Sequence, residues 1–157
     1  IDSTITKHSA KASEIYYSVE NNTIGEAALM AIQDQGEENI KGLFVSEPIK
    51  RGHVRRFRKG FNTTHKSKIS ACSKFKEYIE NDKMVVHSKN LISELKTFVA
   101  SGQSFSAKPG EHDDLVSATL LICRMIGVIA GWDQKLYTRL KDNIEEEVAP
   151  MPIFVVT

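Results

Sequence analysis

Residues 115–132 are the longest apolar stretch of the chain, and they constrain its fold more than any other feature. Arg124 interrupts the stretch and Ser117 and Thr119 lie within it, so it reads as a buried helix and not as a membrane span. A helix apolar on nearly every side must be covered by other elements. Two carboxylates, Asp113 and Asp114, stand at its root, shortly after the chain-breaking pair Pro109-Gly110. With 157 residues, 41% hydrophobic and 26% charged, the chain suits one domain with a full core.

The covering elements alternate in type. Residues 15–20 (Ile-Tyr-Tyr-Ser-Val-Glu) are β-prone, with Ile15, Tyr17 and Val19 on one face. Residues 23–35 read as a helix with Ile24, Ala27, Ala28 and Ala31 on one stripe and Gly36 as its stop. Residues 42–45 read as a second strand, ended by Pro48. Residues 67–81 are predicted helical with Ile69, Cys72, Phe75 and Ile79 inward, and residues 84–87 are predicted to form a strand. Residues 89–100 follow as a helix with Leu91, Ile92, Leu95, Phe98 and Val99 as its core face, ended by Gly102. A short strand at 104–107, a further helix at about 134–147 and a strand or arm at 150–157 complete the reading. Such alternation argues for an α/β architecture with a mixed or parallel central sheet flanked by helices. In these sheets ligands sit beyond the carboxyl ends of the strands, which is where Glu20 falls. The expectation for the first two strands is therefore adjacency and parallel pairing across a helical crossover.

Charge is distributed unevenly. Residues 49–68 hold Lys50, Arg51, Arg55, Arg56, Arg58, Lys59, Lys66 and Lys68 and no acidic residue, although the net charge is only +1. A local basic block on an otherwise acidic domain points to an anionic partner held at one place, or more plainly to a solvated loop. The block contains Gly52 and Gly60 and no clean period, so it reads as a loop or ragged hairpin. Cys72 and Cys123 fit no disulfide framework or zinc spacing and read as reduced core residues of a cytosolic protein. No signal peptide or membrane span is visible.

Asp113 and Asp114 have a plain reading as helix-terminus acids, which the exposed N–H groups and the macrodipole favour. Their place at the root of a buried helix, with Glu20 at a strand end, gives a sharper one. Clustered carboxylates repel unless a cation holds them, and oxygen-only ligands suit Mg²⁺ or Mn²⁺.

The same residues carry a family resemblance. Glu20-Asn21-Asn22-Thr23-Ile24-Gly25 resembles the E-N-N-x-x-G stretch of the nuclease domains of phage large terminases. Residues 112–118 (His-Asp-Asp-Leu-Val-Ser-Ala) resemble their H-D-D-L-V-x-A motif. Between them, Lys66-Ser67-Lys68 and residues 94–98 (Glu-Leu-Lys-Thr-Phe) follow the family's K-x-K and E-L-x-x-F order, so the likeness runs from about residue 15 to residue 124. The resemblance implies a ribonuclease-H-like fold and metal-dependent cutting of concatemeric double-stranded DNA, with water as nucleophile and no covalent intermediate. It makes Glu20 and the Asp113–Asp114 pair catalytic and metal-binding acids. Asp114 is favoured over Asp113 because Ala118 and Leu121 set its face toward the core. Arg51, Arg55, Arg56, Arg58, Lys59, Lys66 and Lys68 become candidates for DNA binding.

The implied partners are double-stranded DNA, the terminase ATPase domain, the small terminase and the portal, in the cytoplasm of a bacterial host. The family's fold opens with an acid on its first strand, and the residues before Glu20 are too few for the strands expected there. No phosphate-binding G-x-x-x-x-G-K-[ST] loop occurs. The expectation is thus a nuclease domain over residues 1–157 that lacks its first strands and its ATPase partner. The alternative is a ribonuclease-H-like module that binds DNA or docks on the motor without cutting.

Overall fold

The computed structural model describes residues 15–51, 54–102 and 104–134, and within residues 49–58 it describes the backbone only. Strand β1 (Tyr16–Tyr17) pairs in parallel with β2 (Leu43–Phe44), as expected for neighbours joined through a helix. The ladder is longer than these labels. The carbonyls of Ile15, Tyr17 and Val19 accept in turn from the N–H groups of Leu43, Val45 and Phe61 at 2.7, 2.8 and 3.0 Å. Asn21 N–H then donates to Phe61 O at 2.7 Å, and Glu20 and Phe61 form a parallel bridge. The second strand therefore leaves the ladder after Val45 and resumes it at Phe61.

The excursion between is the basic block. β3 (Glu47–Arg51) and β4 (Val54–Arg58) pair as an antiparallel hairpin in the register Glu47–Arg58 to Arg51–Val54. Glu47 N–H donating to Gly60 O at 3.0 Å closes its base. Pro48, expected to end a strand, instead lies within β3, which is compatible with proline when the strand has a free edge.

Helix α1 (Thr23–Gln35) has the expected bounds, and Gly36, at φ 81°, turns the chain out of it. Its buried face is Gly25, Leu29 and Ile32, while Ile24 is 85% exposed. The alanine stripe does not set the orientation because alanine offers little apolar area; the larger Leu29 and Ile32 do. Helix α2 (His65–Glu80) buries Ala71 and Tyr78. Cys72 and Phe75 flank that face, and Ile79, expected inward, is 38% exposed. Residues 84–87 do not form a strand; β-propensity without a partner edge is not enough, and Met84 N–H donates instead to Tyr78 O at 3.1 Å. Helix α3 (Lys89–Thr97) stops before its expected end, because Phe98 begins β5 (Phe98–Ser101), which pairs antiparallel with β6 (Ser104–Ala107). Gly102, at φ 60°, serves the hairpin turn and not a helix end.

Helix α4 (Asp114–Ile129) organises the core. Its first half packs Val116 and Leu120 on Ala71, with Cys72, Phe75, Leu91, Leu95 and Phe98 around them. Its second half packs Met125 and Ile129 on Val45 and Phe61, beside Tyr16. Trp132 lies past the helix end with its ring edge-on to Tyr16, 56% exposed, and so borders the core without closing it. Among the described residues the strands form three two-stranded pairings. Both cysteines are free, and burial pushes the Cys123 thiol up to about 11. No helix among the described residues is long and apolar enough to cross a membrane. The expected helix at 134–147, from its second residue on, and the arm at 150–157 lie outside the described residues.

Candidate functional site

Glu20 stands where the ladder ends, and the five residues after it are built to keep it there. Asn22 caps α1: its Oδ1 accepts from Gly25 N–H at 2.9 Å, while its Nδ2 donates to Glu20 Oε2 at 3.1 Å. Asn21 Nδ2 donates to Lys59 O at 3.1 Å and ties the strand end to the foot of the basic hairpin. Gly25 lies so close to the Glu20 carbonyl that a Cβ there would fall on it. Gly60, at φ 67°, makes the same close approach to Val19 O from the other strand.

Asp113 and Asp114 stand at the root of α4 in different surroundings. Asp113 is half-buried and its Oδ2 pairs with Lys68 Nζ at 3.4 Å. Asp114 is exposed, as is Ala118, while Leu121 packs against the core; of the two residues behind the preference for Asp114, only Leu121 faces inward. Ser117 and Arg124, not Ala118, continue the Asp113 face of the helix.

Lys68 links the two stations. It rises from the first turns of α2, whose N-cap Thr64 forms a capping box with Ser67. Its ammonium lies 5.5 Å from the centre of the Phe98 ring. Together with Glu20, Thr63, Ser117 and Arg124 it lines a recess of about 20 Å³, room for roughly one water. Arg124 is held at the far wall: its guanidinium donates to Glu47 Oε1 at 2.6 Å and to Asn62 O at 3.1 Å, and packs over the Phe61 ring. A carboxylate, an ammonium and two hydroxyls around one small recess can bind a phosphoryl oxygen or a cation.

Ser117 and Arg124 belong to this recess and are not among the candidates drawn from the sequence. The signal is present there: Asp113, Ser117 and Arg124 are polar positions at i, i+4 and i+11 along a largely apolar helix. His112 is exposed ahead of the helix.

A family model described as a terminase RNaseH-like domain matches residues 3–125. The chain belongs to that family. The fold class is accordingly ribonuclease-H-like, and the matched span takes in the Glu20 motif, the basic hairpin, Lys68 and the Asp113–Asp114 pair. In this terminase domain the basic block divides into three parts. Arg51, Arg55, Arg56 and Arg58 lie on the strands of the excursion hairpin, which is described by its backbone. Lys59, at its foot, is exposed and 4.0 Å from Glu37. Lys66 is exposed in the first turn of α2, whereas Lys68 is drawn inward to Asp113. Among the described residues no group of three or more His, Cys, Asp or Glu side chains could hold a metal ion.

Proposed function

We propose that this terminase domain is a metal-dependent endonuclease that cuts concatemeric double-stranded phage DNA during genome packaging, in a host bacterial cytoplasm. One observation carries the reading: Glu20 and Lys68, itself paired with Asp113, line a single recess at a strand's carboxyl end. Glu20, Asp113 and Asp114 are the catalytic and metal-binding acids. Their carboxylate oxygens fit Mg²⁺ or Mn²⁺ in kind. In number they fit an ion held by one or two carboxylates with water and substrate phosphate completing its shell. Such ions supply stabilisation of the attacking and leaving oxygens in an in-line displacement.

The chain's own residues have separable tasks. Asn21, Asn22 and Gly25 fix the Glu20 strand end. Lys68 neutralises Asp113 in the free protein and presents its ammonium to a phosphate when DNA arrives. Lys66 stands at the N-terminus of α2, where the helix dipole disfavours a lysine; a bound phosphate would reverse that cost. Arg51, Arg55, Arg56, Arg58 and Lys59 grip the DNA backbone away from the recess. The terminase ATPase domain, small terminase and portal are the proposed protein partners.

A second reading is favoured by one observation: the described residues assemble no three-ligand metal group, and Lys68 already neutralises Asp113. On that reading the domain binds DNA or docks on the motor without cutting. Plasmid cleavage with Mn²⁺ separates the two. Under the nuclease reading wild type linearises plasmid, and Glu20→Gln or Asp113→Asn slows it by more than about 100-fold. Salt-dependent DNA binding without cleavage would establish the second reading.

A further inference from the structure

The first N–H groups of any helix lack intrahelical partners and need others. At the root of α4 the residue placed to supply one is Asp113, yet its side chain makes no capping bond. The cap comes from another helix. Glu94 Oε2 accepts from the N–H groups of Leu115 at 2.8 Å and Val116 at 3.1 Å. Glu94 is half-buried on α3, itself capped by Ser88 and fixed by Leu91 and Leu95 in the core. A carboxylate at this terminus also meets the positive end of the helix dipole, so Glu94 supplies both hydrogen bonds and complementary charge.

We propose that Glu94 is a positioning residue: by capping α4 from outside, it releases the Asp113 and Asp114 carboxylates from capping and leaves them free for cation and phosphate. The consequence is visible at Asp113, whose Oδ2 reaches Lys68. Neither oxygen of that carboxylate caps the N–H groups of its own helix. The proposal deepens the nuclease reading and rests on it for what the freed carboxylates bind, but the release from capping stands apart from any activity.

The test is a double-mutant cycle on the whole chain, followed by urea denaturation. Asp113→Ala and Asp114→Ala are each made in the wild type and in Glu94→Ala. In the wild type neither aspartate caps, so each change is nearly silent. In Glu94→Ala one aspartate takes over the cap, and removing it lowers the folding equilibrium constant by a further factor of roughly five. Glu94→Gln retains an acceptor oxygen and restores the wild-type pattern. Strict additivity with both aspartates overturns the proposal. A second readout is Mn²⁺-dependent plasmid cleavage, at a temperature where circular dichroism shows every variant folded. Glu94→Ala loses about tenfold or more in kcat, and Glu94→Gln rescues it. Full activity in Glu94→Ala makes Glu94 a structural cap only and overturns the positioning role. If wild type itself does not cut, the nuclease reading fails, and the stability cycle still decides whether Glu94 releases the aspartates.

Discussion

The two acid stations are held in opposite ways. Glu20 is fixed by its immediate neighbours: a capping asparagine, a second asparagine on the hairpin foot, and a glycine pressed against its carbonyl. Asp113 is held by residues far away in sequence: Lys68 on α2 pairs with it, and Glu94 on α3 caps its helix. The difference teaches that a local station is written as a contiguous motif. A remote station is a short acidic pair whose meaning depends on how three helices pack.

Substitutions can break this contrast, beginning with the largest expected effect. Gly25→Ala drives a methyl into the Glu20 carbonyl and should destabilise the fold by about 3 kcal/mol in urea denaturation. A change under about 1 kcal/mol would mean that α1 slides freely and that the station is looser than described. Arg124→Met should cost about 2 kcal/mol, because it leaves Glu47 with only the Asn62 N–H and removes a charge-assisted hydrogen bond between the hairpin foot and α4. Asn22→Ala removes the α1 cap and a Glu20 partner together and should cost about 1–2 kcal/mol. Asp113→Ala sits at an equivalent helix terminus but gives up only a partly exposed ion pair, so its cost should stay near about 0.5 kcal/mol. Equal costs for Asn22 and Asp113 would erase the contrast.

The basic hairpin sharpens the comparison from the ligand side. Replacing Arg51, Arg55 and Arg56 by Ala should flatten the dependence of log DNA affinity on log salt by roughly one unit for each phosphate no longer neutralised. An unchanged slope would assign the block to a solvated surface or a protein partner.

Much of the local station is legible in sequence. Residues 15–20 and 42–45 declare themselves as neighbouring strands, and α1 emerges with its bounds, because turn and cap residues act over a few positions. The basic block is legible as a loop or ragged hairpin, and a hairpin is what forms; that it is extruded from one strand of the ladder is not legible, since its base is closed by the tertiary pairing of Glu47 and Gly60. Faces are less legible than elements. Periodicity sets Ile24 and Ile79 inward, and packing of Leu29, Ile32, Ala71 and Tyr78 turns those helices otherwise. Residues 84–87 have the composition of a strand and no edge to join. Glu94 stands in the sequence only as the acid of the E-L-x-x-F stretch; its cap on α4 depends on a tertiary contact that no local pattern reveals. Phe98 shows the same limit, since its hairpin partner and not its helical periodicity decides where α3 ends.

Whether the two stations form one site is tested most directly by the position of a bound ion. Crystals of the DNA complex soaked with Mn²⁺ should give an anomalous peak with oxygens of both Glu20 and one of Asp113 or Asp114 at about 2.1 Å. Lys68 should have moved from Asp113 to a phosphate. Mn²⁺ seated elsewhere, with the Lys68–Asp113 pair intact beside bound DNA, would contradict a shared site.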